Sequence, residues 1–187
     1  MRSKQEEKLS KFLSLVLRHH PEAIGITIQR EGGWARVDAL LKGMKTSGRQ
    51  MDFSLLEKIV REDAKMRYSF STDKRYIRAN QGHSIDVDLG LAQKQPPDVL
   101  YHGTAARFLD SIKAAGITRQ GRQYIHLSAD LQTATAVGRR HGAPAVLSID
   151  SARMAEQDTA FYLSENGVWL CRHVPWEYVR DIYYPQK

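Results

Sequence analysis

The stretch RYSFSTDKRYIRA (residues 67–79) alternates apolar and polar side chains on both sides of a polar turn, the pattern of a β-hairpin. Upstream, DFSLLEKIVRED (52–63) and WARVDALLKGMK (34–45) read as helices, the first with Asp52 placed to cap it. A short apolar stretch, ITI (26–28), precedes them. Over residues 5–20, Leu9, Phe12, Leu13, Val16 and Leu17 recur at helical spacing. Helices followed by a hairpin make a winged-helix-like module, an architecture that often binds nucleic acid but does not prove that it does.

The first helix ends in LRHHPE. At about 100° per residue, Arg18 falls opposite the apolar stripe, His19 on its border and His20 on it. Arg18 is therefore able to face a ligand, whereas His20 reads as a core or capping histidine. Basic residues before a proline also suit a plain helix terminus, because cations favour the negative end of the helix dipole. The pattern alone leaves both readings open, a helix end or an anion clamp.

Downstream of the hairpin, residues 82–97 mix Gly82, Gly90, Pro96 and Pro97 without periodicity and read as a linker between domains at 1–81 and 98–187. The second domain reads as strand VLYHG, helix AARFLDSIKAAG, strand YIHLS, helix DLQTATAVGRRHG, strand AVLSI and a strand-rich tail containing NGVWL. The fold class is therefore α+β in two lobes.

Charge divides the chain at the same place. Residues 1–80 hold 17 Lys and Arg against 10 Asp and Glu, and residues 81–187 hold 11 against 11, so the whole net charge of +7 belongs to the first part. A basic lobe joined to a neutral one points to a polyanion met by the first and different work in the second. The single cysteine, Cys171, excludes an internal disulfide and a cysteine-rich metal cluster, and its apolar setting VWLCRHV suits a buried inert thiol. With no signal-like or membrane-spanning apolar run near the start, the expectation is a cytoplasmic protein. Gly-rich phosphate loops, metal-ligand spacings and a nucleophile elbow are missing from the sequence. Chemistry here must come from Arg, His and hydroxyl groups acting on a substrate that brings its own reactivity.

Six blocks in order, LSLVLRHHPEAIGI, GGWARVDALL, YIRANQGHS, VLYHGT, GRQYIHLS and NGVWL, closely resemble the NAD-dependent RNA 2′-phosphotransferase family, from about Leu9 to Pro175. The resemblance implies an enzyme of RNA repair or tRNA splicing. It would pass an internal RNA 2′-phosphate to NAD as co-substrate, through a 2′-phospho-ADP-ribosylated RNA, and release nicotinamide and ADP-ribose 1″,2″-cyclic phosphate. It implies Arg18, His19, Arg67 and Arg122 as the catalytic set. It also implies an ADP-ribosyltransferase-like second lobe with His102, His126 and Val168 at its signature positions. His102, Gly103 and Thr104 would bind NAD, Gly103 by allowing close backbone approach, with Ser128 and Asn166 as further pocket residues. Gln81 and His83 of QGHS would meet RNA.

Val168 stands where many protein-modifying members of that wider fold carry a glutamate, which favours an acceptor that is already ionised. Glu165, three residues earlier, reads as a loop residue. No metal and no membrane are implied, and a monomer is expected. Two alternatives are an NAD-dependent ADP-ribosyltransferase acting on nucleic-acid terminal phosphates, and a non-catalytic winged-helix regulator that senses NAD.

Overall fold

Helix α1 (Lys4–Arg18) begins where Ser3 and Glu6 cap one another. The Ser3 hydroxyl accepts the Glu6 N–H at 3.1 Å and the Glu6 carboxylate accepts the Ser3 N–H at 2.7 Å. This capping box satisfies donors that a helix start leaves open. The computed structural model describes residues 3–185, and the chain divides into two compact units, residues 1–90 and 91–187.

In the first unit α1 is followed by a 3-10 turn (Pro21–Ile24), β1 (Trp34–Arg36), α2 (Val37–Thr46), α3 (Phe53–Arg61), β2 (Tyr68–Phe70) and β3 (Tyr76–Ala79). The strands form one antiparallel sheet in the order β1-β3-β2. The hairpin pairs Tyr68 with Ala79 and Phe70 with Ile77. Asp52 caps α3 by accepting the Leu55 N–H at 2.8 Å. The α1 stripe does what its spacing predicts: Leu13, Val16 and Leu17 are fully buried against Leu40, Met44, Leu56 and Ile77. Each such side chain contributes about 1.5–3 kcal/mol by leaving water.

Two local readings change. WARVDALLKGMK is a strand followed by a helix, since Ala35 pairs with Ile77 and the helix begins only at Val37. Pairing across some forty residues leaves no trace in local periodicity. His20 is exposed rather than core, and stands at the N-cap position of the 3-10 turn. The helix stops at Arg18, so the angular progression that put His20 on the stripe ends before it. Its side chain is 60% exposed, its Nδ1 lies 2.9 Å from Glu22 Oε1, and it makes no capping bond to the 3-10 turn.

The second unit runs β4 (Val99–Ala105), α4 (Leu109–Ala115), β5 (Ile117–Thr118), β6 (Ile125–Leu127), α5 (Leu131–Gly138), β7 (Pro144–Asp150), α6 (Ser151–Glu156), β8 (Tyr162–Leu163), β9 (Trp169–Cys171), β10 (His173–Val174) and β11 (Val179–Tyr183). Its antiparallel sheets have the orders β11-β7-β4, β6-β9-β8 and β10-β5. Tyr101 and Ser128 exchange both backbone hydrogen bonds, at 2.9 and 2.8 Å, and so tie β4 to the end of β6. Leu100, Leu127, Leu147, Ile149 and Phe161 are fully buried at the centre of this unit. Cys171 is among the buried residues and its thiol is pushed up to about 12 by burial, which makes it unreactive.

Gly103 marks the closest approach in the second unit. A Cβ on it would lie 1.8 Å from the Ala134 carbonyl oxygen, so β4 can touch α5 only through a residue without a side chain. The glycine is required by helix packing, a different reason from close approach of a ligand. Gly103→Ala should therefore destabilise the protein by about 1–3 kcal/mol, the usual range for overpacking. Gly121→Ala, which meets nothing within 4 Å, should stay within about 0.5 kcal/mol of the parent in chemical denaturation. Equal stability of the two variants would contradict this packing.

Candidate active site

In the first unit the end of α1 carries Arg18 as its last residue and His19 as its C-cap. His19 and His20 both donate their N–H to the Leu15 carbonyl, at 2.9 and 3.0 Å, which closes the helix. The next tie comes from the segment after β3. Ser84 donates its N–H to the Arg18 carbonyl at 3.0 Å, and its Oγ lies 2.9 Å from His19 Nδ1. Arg18 and His19 are half-buried, with Arg18 Nε and Nη2 enclosed. The sequence left two readings of this helix end; the helix does stop here, and Arg18 and His19 stand side by side at the stop.

His83 sits beneath them. It is 2% exposed, an interior residue here, whereas the sequence reading places it against RNA. Burial, and then the charges of Arg18, His19 and Arg78, push its pKa from 6.5 down to about 4. Arg78 is held by its own contacts, donating from Nη1 to the Gly32 carbonyl at 3.3 Å and stacking over the Trp34 ring at 4.6 Å. Gln81 is half-buried with its side-chain oxygen enclosed.

Arg67 immediately precedes β2 and is aimed by a buried carboxylate. Asp63 is 5% exposed, lies 3.1 Å from Arg67 Nη1 and accepts the Arg67 N–H at 2.7 Å. Met66, just before it, holds the left-handed conformation at φ 42°, which a side chain adopts only under constraint. The constraint is Asn80, which donates from Nδ2 to the Met66 carbonyl at 2.7 Å and from its N–H to the Arg67 carbonyl at 2.8 Å.

In the second unit three of the expected residues touch. Arg122 donates from Nη1 to His126 Nδ1 at 2.8 Å, and His102 Nδ1 donates to the His126 carbonyl at 3.2 Å. A ring that accepts at Nδ1 carries its proton at Nε2, so His126 presents a donor while His102 presents an acceptor at Nε2. Burial lowers the His102 pKa, and the nearby His141 adds to this, against the opposing effect of its bond to the His126 carbonyl. His102 is therefore neutral at pH 7. Burial of its guanidinium, and then the Arg140 charge, lower the Arg122 pKa, and a guanidinium still keeps its charge near neutrality.

The remaining expected residues do not join this group in the same way. Thr104 is buried in β4. Ser128 spends its backbone on Tyr101. Asn166 and Val168 belong to the turn between β8 and β9, where the Ser164 hydroxyl lies 2.8 Å from Asn166 Oδ1 and 2.9 Å from the Val168 carbonyl. Sequence reasoning missed Asp63, Asn80 and Ser84. Asp63 precedes Arg67 by four residues, a spacing that could have suggested the pair, whereas Ser84 and Asn80 reach partners far along the chain that no local pattern reveals.

Among the described residues no three His, Cys, Asp or Glu side chains group as metal ligands, and no helix is long and apolar enough to cross a membrane. Arginines and neutral imidazoles, with hydroxyl groups beside them, suit group transfer involving an anionic substrate. The family model described as RNA 2′-phosphotransferase, Tpt1 / KptA family, matches residues 4–173. A protein named probable RNA 2′-phosphotransferase from Acaryochloris marina is 49% identical over 95% of this chain and 98% of its own length. Proteins of the same name from Shigella boydii (50% identical, 91% and 92% covered) and Pseudomonas fluorescens (48% identical, 97% and 100% covered) are similar throughout. The chain belongs to the RNA 2′-phosphotransferase family, and it is accordingly an enzyme, a transferase.

The depressed pKa of His83 makes a pH prediction. An unfolded histidine takes up its proton near 6.5 and the folded one only near 4, so the unfolded state binds more protons in between and stability must rise with pH across that window. The contribution is full above about 6.5 and is lost as the pH falls toward 4, on the order of 3 kcal/mol in all. NMR titration of the folded protein should give His83 a midpoint near 4. A midpoint above 6 would contradict its burial among cations.

Proposed function

We propose that the substrates are RNA bearing an internal 2′-phosphate and NAD, with a winged-helix-like RNA lobe in residues 1–90 and an ADP-ribosyltransferase-like NAD lobe in residues 91–187. The order α1, α2, α3 and then the β2–β3 hairpin supports the first assignment, as does the concentration of positive charge there. The second rests on His102, His126 and Arg122. A neutral acceptor, a donor and a cation within one hydrogen-bonded chain suit the hydroxyl groups and phosphates of a dinucleotide.

NAD supplies an electrophilic ribose carbon whose leaving group, nicotinamide, departs as a neutral molecule from a cationic one. The residues of this chain then have positioning and charge stabilisation to provide. Arg18 and His19 hold the RNA phosphate, and Arg67, aimed by Asp63, meets its oxygens. His102 accepts from a ribose hydroxyl at Nε2, and His126 donates from its own Nε2. Arg122, bonded to the His126 ring, offers a fixed positive charge to phosphate oxygen.

The observation that carries the reading is Val168. Its backbone N–H and carbonyl are bonded to Ser164, and its side chain offers no base. A side chain without a base at this position favours an acceptor that is already ionised, as a phosphate monoester is and a protein hydroxyl is not. The buried thiol of Cys171, with no disulfide partner, suits a reducing compartment such as the cytoplasm.

The test is incubation with NAD and an oligonucleotide carrying an internal 2′-phosphate, beside an unphosphorylated control. Attack by an anionic phosphate needs little help, whereas the later displacement at phosphorus develops new charge. Arg18→Ala and Arg67→Ala should therefore accumulate RNA joined to ADP-ribose, resolved on a denaturing gel. Exposed His20, changed to alanine, should leave turnover of the folded protein normal. Normal conversion by folded Arg18→Ala, with no adduct at any time, would return LRHHPE to a simple helix end. For NAD, His102→Ala should raise its KM about tenfold or more while RNA affinity stays within about twofold, the loss expected for one buried hydrogen bond. An unchanged NAD dependence would remove His102 from the pocket.

A further inference from the structure

The segment after β3, Asn80 to Ser84, reaches both parts of the first unit's basic group. At its start Asn80 clasps the Met66 and Arg67 carbonyls, and at its end Ser84 holds the Arg18 carbonyl and the His19 ring. His83 lies buried between them. A segment of five residues thus holds the backbone on which Arg18, His19 and Arg67 stand.

We infer that Ser84 is a positioning residue for His19: its hydroxyl holds Nδ1 and thereby aims Nε2 at the RNA phosphate. The inference rests on the reading of His19 as a group that acts on that phosphate. The His19 ring is half-buried at the helix C-cap, and a hydrogen bond at Nδ1 sets both its tautomer and the direction of Nε2. A hydroxyl suits this place better than a carboxylate. It accepts from Nδ1–H when the ring is protonated beside a phosphate, and it donates to bare Nδ1 when the ring is neutral. In either charge state the same bond survives and Nε2 keeps its proton. Ser84 is exposed, so its hydroxyl brings no buried charge near Arg18.

The backbone and side chain of Ser84 do separable work. Ser84→Ala deletes the bond to the ring and keeps the N–H that holds the Arg18 carbonyl, so the end of α1 stays closed. Ser84→Thr keeps the hydroxyl. The experiment is a double-mutant cycle of Ser84→Ala and His19→Ala on the full chain, with turnover of 2′-phosphorylated RNA and NAD measured against pH, together with 15N NMR of the His19 ring in the parent and in Ser84→Ala.

Ser84→Ala should slow turnover roughly tenfold, the loss of one well-placed hydrogen bond. It should also shift the pH profile and move the His19 ring signals toward the tautomer mixture of a free imidazole. Ser84→Thr should restore most of the rate. In the His19→Ala background, Ser84→Ala should cost nothing further, because its effect passes through the ring. An unchanged pH profile and unchanged His19 signals in Ser84→Ala would overturn the inference, even with a loss of stability. So would an equal loss of rate in both backgrounds. Full activity of His19→Ala would instead overturn the reading of His19 itself, and the two failures are told apart by which variant is normal.

Discussion

The backbone hydrogen bond from Ser84 to the Arg18 carbonyl is the contact on which the first unit's basic group depends. A helix end leaves its last carbonyls without partners, and most helices meet this need with water or a glycine turn. Here the partner comes from more than sixty residues downstream. That choice fixes Arg18 and His19 relative to β3, and through Asn80 relative to Arg67. Sequence, local structure and chemistry meet in one contact: the helix must end where the proline requires, and the end is held where its cation and imidazole are useful.

Electrostatics shape both units in the same direction. Arg122 bonds the His126 ring and His102 bonds the His126 carbonyl, while in the first unit the buried carboxylate of Asp63 pairs with Arg67. Histidines near these groups lose their protons through burial and neighbouring cations. Neutral imidazoles can then donate and accept without cancelling the arginine charge that an anionic substrate meets. Elsewhere in the first unit cations are paired, Lys58 with Glu6 at 2.6 Å and Lys74 with Glu57 at 2.6 Å. Such exposed pairs contribute little to stability, but each offsets a positive charge locally where a polyanion would meet it.

Legibility in the sequence followed the range of the interaction. The α1 stripe, the Asp52 cap and the hairpin were readable because they depend on neighbours within a few residues. The strand at Trp34–Arg36 and the short helix at Ser151–Glu156 were not, one resting on a distant partner and the other too short to show a period. The same division holds among the site residues. Arg18, His19 and Arg122 stand in blocks that resemble the family, and Arg67 in a looser match beside the hairpin. Asn80 and Ser84 stand in such a block too, but their contacts are invisible there because their partners lie far along the chain. The exposure of His20 and the burial of His83 depend on where α1 stops and on how the Asn80–Ser84 segment packs, and helical angle speaks to neither.

The most direct measurement follows the phosphorus atom. RNA labelled with 32P in an internal 2′-phosphate is mixed with the protein and NAD, and the small products are separated by chromatography. The account predicts that the label leaves the RNA only when NAD is present and appears in a nucleotide product that also contains the ADP-ribose of NAD. Label released as inorganic phosphate, or released at the same rate without NAD, would contradict it.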